Sequence, residues 1–225
     1  MRLDEAFHAL KIVQDFIPLG SSNRPGTPLK PSFITIHNTD NTSPGANAAA
    51  HARYVKGADA RRREVSWHFT VDDIAVFQSL PTNEVGWHAG SGNAKSIAIE
   101  ICMNADLDVA QAYERAALLT AVMAQQHGIS VPRGIVQHNH WTGKHCPRVL
   151  RDQRDGWKKF LQRVEKIRKS LEAYPAELIS MADGDSSCCE ISAARRAPKK
   201  AERGTRAKSA AVPPRRQSRR GQVQA

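Results

Sequence analysis

The sequence predicts one α/β domain, a single central mixed β-sheet flanked by helices, followed by a disordered basic C-terminal tail. Three observations carry this prediction. Residues 96–102 alternate strictly, Ile97, Ile99 and Ile101 facing one way and Ala98, Glu100 and Cys102 the other, which is the two-residue period of a strand. Residues 110–127 and 151–171 carry apolar side chains at helical spacing. Near Pro175 the composition shifts to Ala, Arg, Ser and Pro. A chain of 225 residues is long enough to bury a real core, and no internal repeat is visible.

Taken in order, residues 1–30 read as a segment leading into the domain, ending in the turn-rich Pro25-Gly26-Thr27-Pro28 and Lys30-Pro31. Residues 33–37 then form a β-branched strand with Phe33, Thr35 and His37 on one face. An Ala-rich helix spans 46–56, and 59–64 is a charged, exposed connector. Residues 65–71 read as a strand, followed by an Asp72-Asp73 turn and a second strand around 74–80. Gly128 stops the helix of 110–127, to which Tyr113, Ala117, Leu118, Ala121 and Met123 contribute apolar contacts. The short strand at Ile135 and Val136 delivers His138. The last helix sets Trp157, Phe160, Leu161, Val164, Ile167 and Leu171 in one stripe on a charged cylinder.

Of the formal charge of +11, +9 belongs to the tail, so the rest of the chain is close to neutral. Residues 190–225 hold eleven Lys and Arg against two Glu, with no Trp, Phe, Tyr or Leu, so ordering would cost more than burial returns. Such a run attracts any polyanion, including nucleic acid, an acidic membrane face or anionic wall polymers, and lacks the aromatic interleaving of a specific nucleic-acid binder. Four cysteines, two of them adjacent at 188 and 189, do not make a disulfide framework. The N-terminus shows no apolar h-region of a secretory leader, and no segment reaches membrane-spanning length.

The chemistry rests on His37, His138 and Cys146, each at the end of an apolar run where a strand hands over to a loop. Two imidazoles and a thiol suit zinc, and three protein ligands leave a fourth position for water, which distinguishes a catalytic from a closed structural site. With nine histidines in the chain, composition leaves a metal site and a chance coincidence equally open. Glu100, on an apolar strand, reads either as a general acid/base beside that water or as an exposed edge-strand glutamate. Lys144 could set an ammonium beside a developing oxyanion, or be a solvated loop lysine. A zinc nucleobase deaminase is excluded, because Cys146-Pro147-Arg148-Val149 has no second cysteine.

Five ordered runs add a resemblance: Ile36-His37-Asn38-Thr39, Ser66-Trp67-His68-Phe69-Thr70-Val71-Asp72, Gly86-Trp87-His88-Ala89-Gly90, Ser96-Ile97-Ala98-Ile99-Glu100, and Gln137-His138-Asn139-His140-Trp141 continuing to Lys144-His145-Cys146-Pro147. From about residue 12 to 150 the chain resembles the zinc-dependent N-acetylmuramoyl-L-alanine amidases of the type-2 amidase and peptidoglycan-recognition-protein superfamily, most nearly the phage and prophage endolysins of Gram-positive bacteria. The resemblance implies a Zn2+ ion on His37, His138 and Cys146, the eight-residue separation selecting His138 over His140 and His145. It also implies Glu100 as catalytic carboxylate, Lys144 as oxyanion-side cation, and hydrolysis of the amide joining muramic acid to L-alanine in peptidoglycan.

Some members have a tyrosine where this chain has Trp67, which removes a phenol and loads more proton transfer onto Glu100. Trp67, His88 and Asn93 are candidate substrate-groove residues, His88 reading equally as an ordinary loop histidine; His68 reads as a packed imidazole. The implied organisation is a zinc amidase core over 31–150, an amphipathic helix over 151–174 and the tail over 175–225. A monomer acting at the cell wall is expected, released by a holin or another route independent of a leader. The rival readings are a peptidoglycan-binding module without turnover and a polyanion-binding protein led by its tail.

Overall fold

A computed structural model describes residues 1–171, and the expected disordered tail lies outside them. The chain runs through α1 (Leu3–Leu10), β1 (Ile12–Gln14), β2 (Phe33–Asn38), α2 (Ala48–Val55), α3 (Ala58–Arg62), β3 (Phe69–Val71) and β4 (Val76–Gln78). After a 3-10 turn at Gly90–Gly92 come β5 (Ser96–Ile101), α4 (Val109–Gln126), β6 (Ile135–Gln137), α5 (His138–Thr142), α6 (Arg148–Asp152) and α7 (Gly156–Ser170). The six strands form one sheet in the order β1-β4-β3-β5-β2-β6. Among the named strands of the described residues only β3 and β4 pair antiparallel, so the sheet is mixed, as expected.

Alternation along β2 and β5 sorts the two faces. Ile34, Ile36, Ile97, Ile99 and Ile101 pack with Leu119, Val122 and Met123 of α4, Leu10 of α1, and Phe160 and Val164 of α7. Each such side chain, fully buried, contributes about 1.5–3 kcal/mol by leaving water. Ala98 faces the opposite way, into a smaller cluster with Ile17, Val55, Trp67 and Leu80 beneath α2. Helices α2 and α4 begin as their caps dictate: Asn47 Oδ1 accepts from Ala50 N at 2.9 Å, and Asp108 Oδ1 accepts from Gln111 N at 3.0 Å. Asp72 makes the β3–β4 turn, its Oδ1 accepting from Ile74 N at 2.8 Å and Ala75 N at 2.7 Å while Oδ2 accepts from Ala48 N at 2.9 Å.

Four local expectations differ from the fold. Residues 59–64 are not a plain connector, because Ala60 is fully buried and anchors the single turn of α3. The strand expected over 65–71 pairs only at Phe69–Val71, since Ser66 N is drawn away to Trp87 O at 3.1 Å. The helix expected from 151 is two helices, divided where Asp155 takes a left-handed φ of 59° and Gly156 lies so close to the chain that a Cβ would meet Leu150 O at 2.6 Å. Residues 1–30, expected only to lead in, add α1 to the core and β1 to the sheet edge against β4.

Candidate metal centre

Parallel pairing brings the chemistry to the carboxyl ends of the central strands. His37 sits one residue before the end of β2, directly across from Glu100 on β5. On the other side Ile36 pairs with Gln137, so His138 follows at the first turn of α5 with its ring 4.7 Å from that of His37. Cys146 is carried back by a loop tied by its own hydrogen bonds: Gly143 turns the chain at φ 76°, Asn139 Nδ2 donates to Gly143 O at 2.8 Å and Lys144 O at 3.0 Å, and Asn139 N donates to Cys146 O at 3.0 Å. The loop is then pinned to β2 by Asn38, whose N–H donates to Cys146 Sγ at 3.4 Å and whose Oδ1 accepts from Val149 N at 3.1 Å. Asn38 Nδ2 meanwhile donates to Ile101 O at 3.2 Å and Tyr113 Oη at 2.9 Å.

As a result one donor atom from each of His37, His138 and Cys146 lies within 4.8 Å of the others, the one such group of three among the described residues. His37 Nδ1 is the nitrogen turned toward Cys146 Sγ, at 4.0 Å, and toward Glu100 Oε1, at 3.7 Å. Its other nitrogen, Nε2, lies 3.1 Å from His88 Nδ1.

Burial dominates the electrostatics. It holds His37 far below the usual imidazole range, with His88, His138 and Lys144 adding to the effect. Burial, helped by Lys144, lowers His138 to about 4. The Glu100 carboxyl is pushed up to about 8 by burial, Lys144 opposing and Asp40 adding to it. Burial and then Glu100 raise the Cys146 thiol to about 12. Two neutral imidazoles are ready to ligate, and His138 Nδ1 and Glu100 Oε2 are buried with no hydrogen-bond partner in the protein. A divalent cation fits this donor set: it would satisfy the orphaned nitrogen and favour the thiolate over the thiol.

The centre lies in the wall of a cavity of about 690 Å³ that Glu100, Lys144, Trp67, His88 and Asn93 also line. All eight sequence-predicted site residues thus meet in one place, three of them with one side-chain polar atom already engaged. Trp67 Nε1 donates to Thr70 Oγ1 at 2.7 Å and the ring stacks on Tyr54, so it offers a wall. Asn93 Oδ1 accepts from His88 N at 2.9 Å and Ala89 N at 2.7 Å, and His88 faces His37. Sequence reasoning missed Ala50 and Tyr54, four residues apart on one side of α2 along the cavity, and Ala46 just before that helix. It also missed the clamp at Asn38, for which no local signal exists.

The family model for N-acetylmuramoyl-L-alanine amidase matches residues 27–149. The chain belongs to this family. Among members of the amidase family, it is 52% identical over 153 residues to the N-acetylmuramoyl-L-alanine amidase XlyA of Bacillus subtilis (strain 168), covering 66% of this chain and 50% of that protein. It is 46% identical over 173 residues to CwlH of the same organism, covering 73% and 66%. The solved catalytic domain of XlyA superposes with a TM-score of 0.64 at 50% identity, covering 68% of this chain and 99% of that domain. The structure of PlyL gives 0.60 at 29% identity, covering 68% and 96%. The chain spans about half the length of XlyA and two-thirds of CwlH. No helix among the described residues is long and apolar enough to cross a membrane.

Proposed function

We propose that this chain is a zinc-dependent amidase that hydrolyses the bond between the lactyl carbonyl of N-acetylmuramic acid and the amino group of L-alanine in peptidoglycan. The observation that carries the reading is the convergence of His37, His138 and Cys146 donor atoms within 4.8 Å, beside the half-buried Glu100 carboxylate in an open cavity. His37 and His138 through Nδ1 and Cys146 through Sγ would hold the ion. When bound there, zinc supplies a Lewis acid that polarises a carbonyl, acidifies a coordinated water and draws nearby acids toward their ionised forms.

The protein's own groups do the rest. Glu100, shielded from bulk solvent, takes the proton of the water that adds to the lactyl carbonyl carbon and returns it to the alanine nitrogen as the C–N bond breaks. The products are a muramic acid carboxylate and a free alanine amino terminus. Lys144, on the rim of the same cavity, sets positive charge beside the carbonyl oxygen as it becomes an oxyanion. The aromatic wall of Trp67, Tyr54 and Trp87 gives the sugar-peptide junction an apolar surface.

By the same reading the catalytic core is 31–150, closed by α6 and α7, and the protein works as a monomer at the cell wall. The basic run over 190–225 then adds sequence-independent attraction to anionic wall polymers, and unchanged low-salt binding to purified walls after its deletion would remove that part. The activity itself is tested on purified peptidoglycan by the appearance of L-alanine amino termini. Release that stops on adding a chelator and in Cys146→Ser is expected; release of reducing sugars or of other amino termini would overturn the reading.

A further inference from the structure

A metal-binding imidazole uses one ring nitrogen for the ion and must carry its proton on the other, so whatever accepts that proton decides how the ring is turned and which nitrogen is offered. Usually the acceptor is a carboxylate or a backbone carbonyl. For His37 it is neither. The ring is 1% exposed, which leaves no solvent to do the job, and its Nε2 is 3.1 Å from His88 Nδ1 with the two planes crossing at 80°.

His88 is itself held in place. Its own backbone N–H and that of Ala89 both donate to Asn93 Oδ1, a two-pronged grip that fixes the loop. Behind it stands the His68 ring at 6.2 Å, locked because Nδ1 accepts from Ala98 N at 3.0 Å and Nε2 donates to Glu84 O at 2.8 Å. Gly86 lets the loop approach this closely, since a Cβ there would come within 3.1 Å of Ser66 O and 3.2 Å of Leu80 Cδ1.

Resting on the reading of His37, His138 and Cys146 as a zinc site, we propose that His88 is a positioning residue: it accepts the His37 Nε2 proton, fixes the tautomer that presents Nδ1 to the ion, and is aimed by Asn93 rather than by the substrate. An imidazole in this role differs from a carboxylate in adding no negative charge. It orients the ligand without pushing it toward imidazolate, so less of the ion's positive charge is neutralised. Its position in the cavity wall is then a consequence of holding His37, and substrate contact through its ring is secondary.

The test compares His88→Asn with His88→Leu. The two side chains have nearly the same shape, but only asparagine places an acceptor oxygen near the position of the histidine Nδ1. Zinc affinity of the full-length protein is measured by competition with a chromophoric chelator, with cobalt absorption as a second readout of the ligand set. His88→Leu is expected to bind zinc about 10–100-fold more weakly, and His88→Asn to recover most of the loss. Equal losses in the two variants, or none in His88→Leu, would overturn the proposal. Should His88→Leu fail to fold by circular dichroism, His88→Ala stands in for it in the same comparison. A wild-type protein that binds no zinc would instead overturn the zinc site, a distinct result because it needs no variant.

Discussion

Replacing His68 with glutamine will remove part of the protein's acid sensitivity, and the size of the effect follows from where the ring sits. His68 is fully buried, its Nδ1 the acceptor for Ala98 N–H and its Nε2 the donor to Glu84 O. Burial lowers it from 6.5 to about 4, the Glu84 carbonyl opposing and His127 adding to the fall. In the unfolded chain the ring takes a proton below pH 6.5, whereas in the fold it does so only near 4. Between those values the unfolded state binds more protons, so stability falls as pH falls through the window and the neutral ring's contribution is complete only above it. The full span is worth about 3 kcal/mol, and the part lost between pH 7 and pH 5 is about 2 kcal/mol. Glutamine cannot titrate. Urea denaturation at pH 7 and pH 5 will therefore show wild type losing about 2 kcal/mol more than His68→Gln over that step. Equal losses in the two proteins would refute the reasoning, because the other buried histidines are common to both.

Three further outcomes follow. Arg24 is nearly buried and grips Glu84 with two nitrogens, at 2.7 and 2.6 Å, so Arg24→Met leaves an unpaired carboxylate and will cost about 3–5 kcal/mol by denaturant unfolding; a loss below about 1 kcal/mol would show that the carboxylate escapes to water. Glu100→Gln keeps the shape but removes the base, so turnover on purified peptidoglycan will fall about 10²–10⁴-fold while zinc affinity moves little, and unchanged turnover would take the proton-transfer role from Glu100. Gly92→Ala will destabilise the fold and disorder the site loop, because a Cβ there lands 2.7 Å from the Trp141 indole; wild-type melting temperature would contradict the packing.

Much of this molecule is legible in its residues because the governing patterns are local. Alternation along 96–102 needs only adjacent residues to read, and it correctly set the isoleucines against α4 and Glu100 toward the cavity. The helix over 109–126 was equally plain from its spacing and its stop at Gly128. By contrast β1 is three residues long and is defined by its partner β4 rather than by its own composition. Helix α1 ends at Lys11 in a left-handed conformation, where a glycine would have announced the stop. The break between α6 and α7 was marked only by Asp155-Gly156 inside a convincing apolar stripe.

At the site the contrast is the same. Residue types at strand ends bring His37, His138 and Cys146 into view but leave coincidence equally open, and it is the family resemblance that singles out His138 over His140 and His145. What His88 and Asn38 do depends on partners 51 and 108 residues away, and no periodicity in the chain reports a contact of that kind.

The most direct test of the account is the metal content of the purified protein read alongside its activity. One zinc per chain is predicted, lost together with amide hydrolysis on dialysis against chelator, restored together on adding zinc, and absent from Cys146→Ser. Full release of alanine amino termini from peptidoglycan by protein stripped of metal would contradict it.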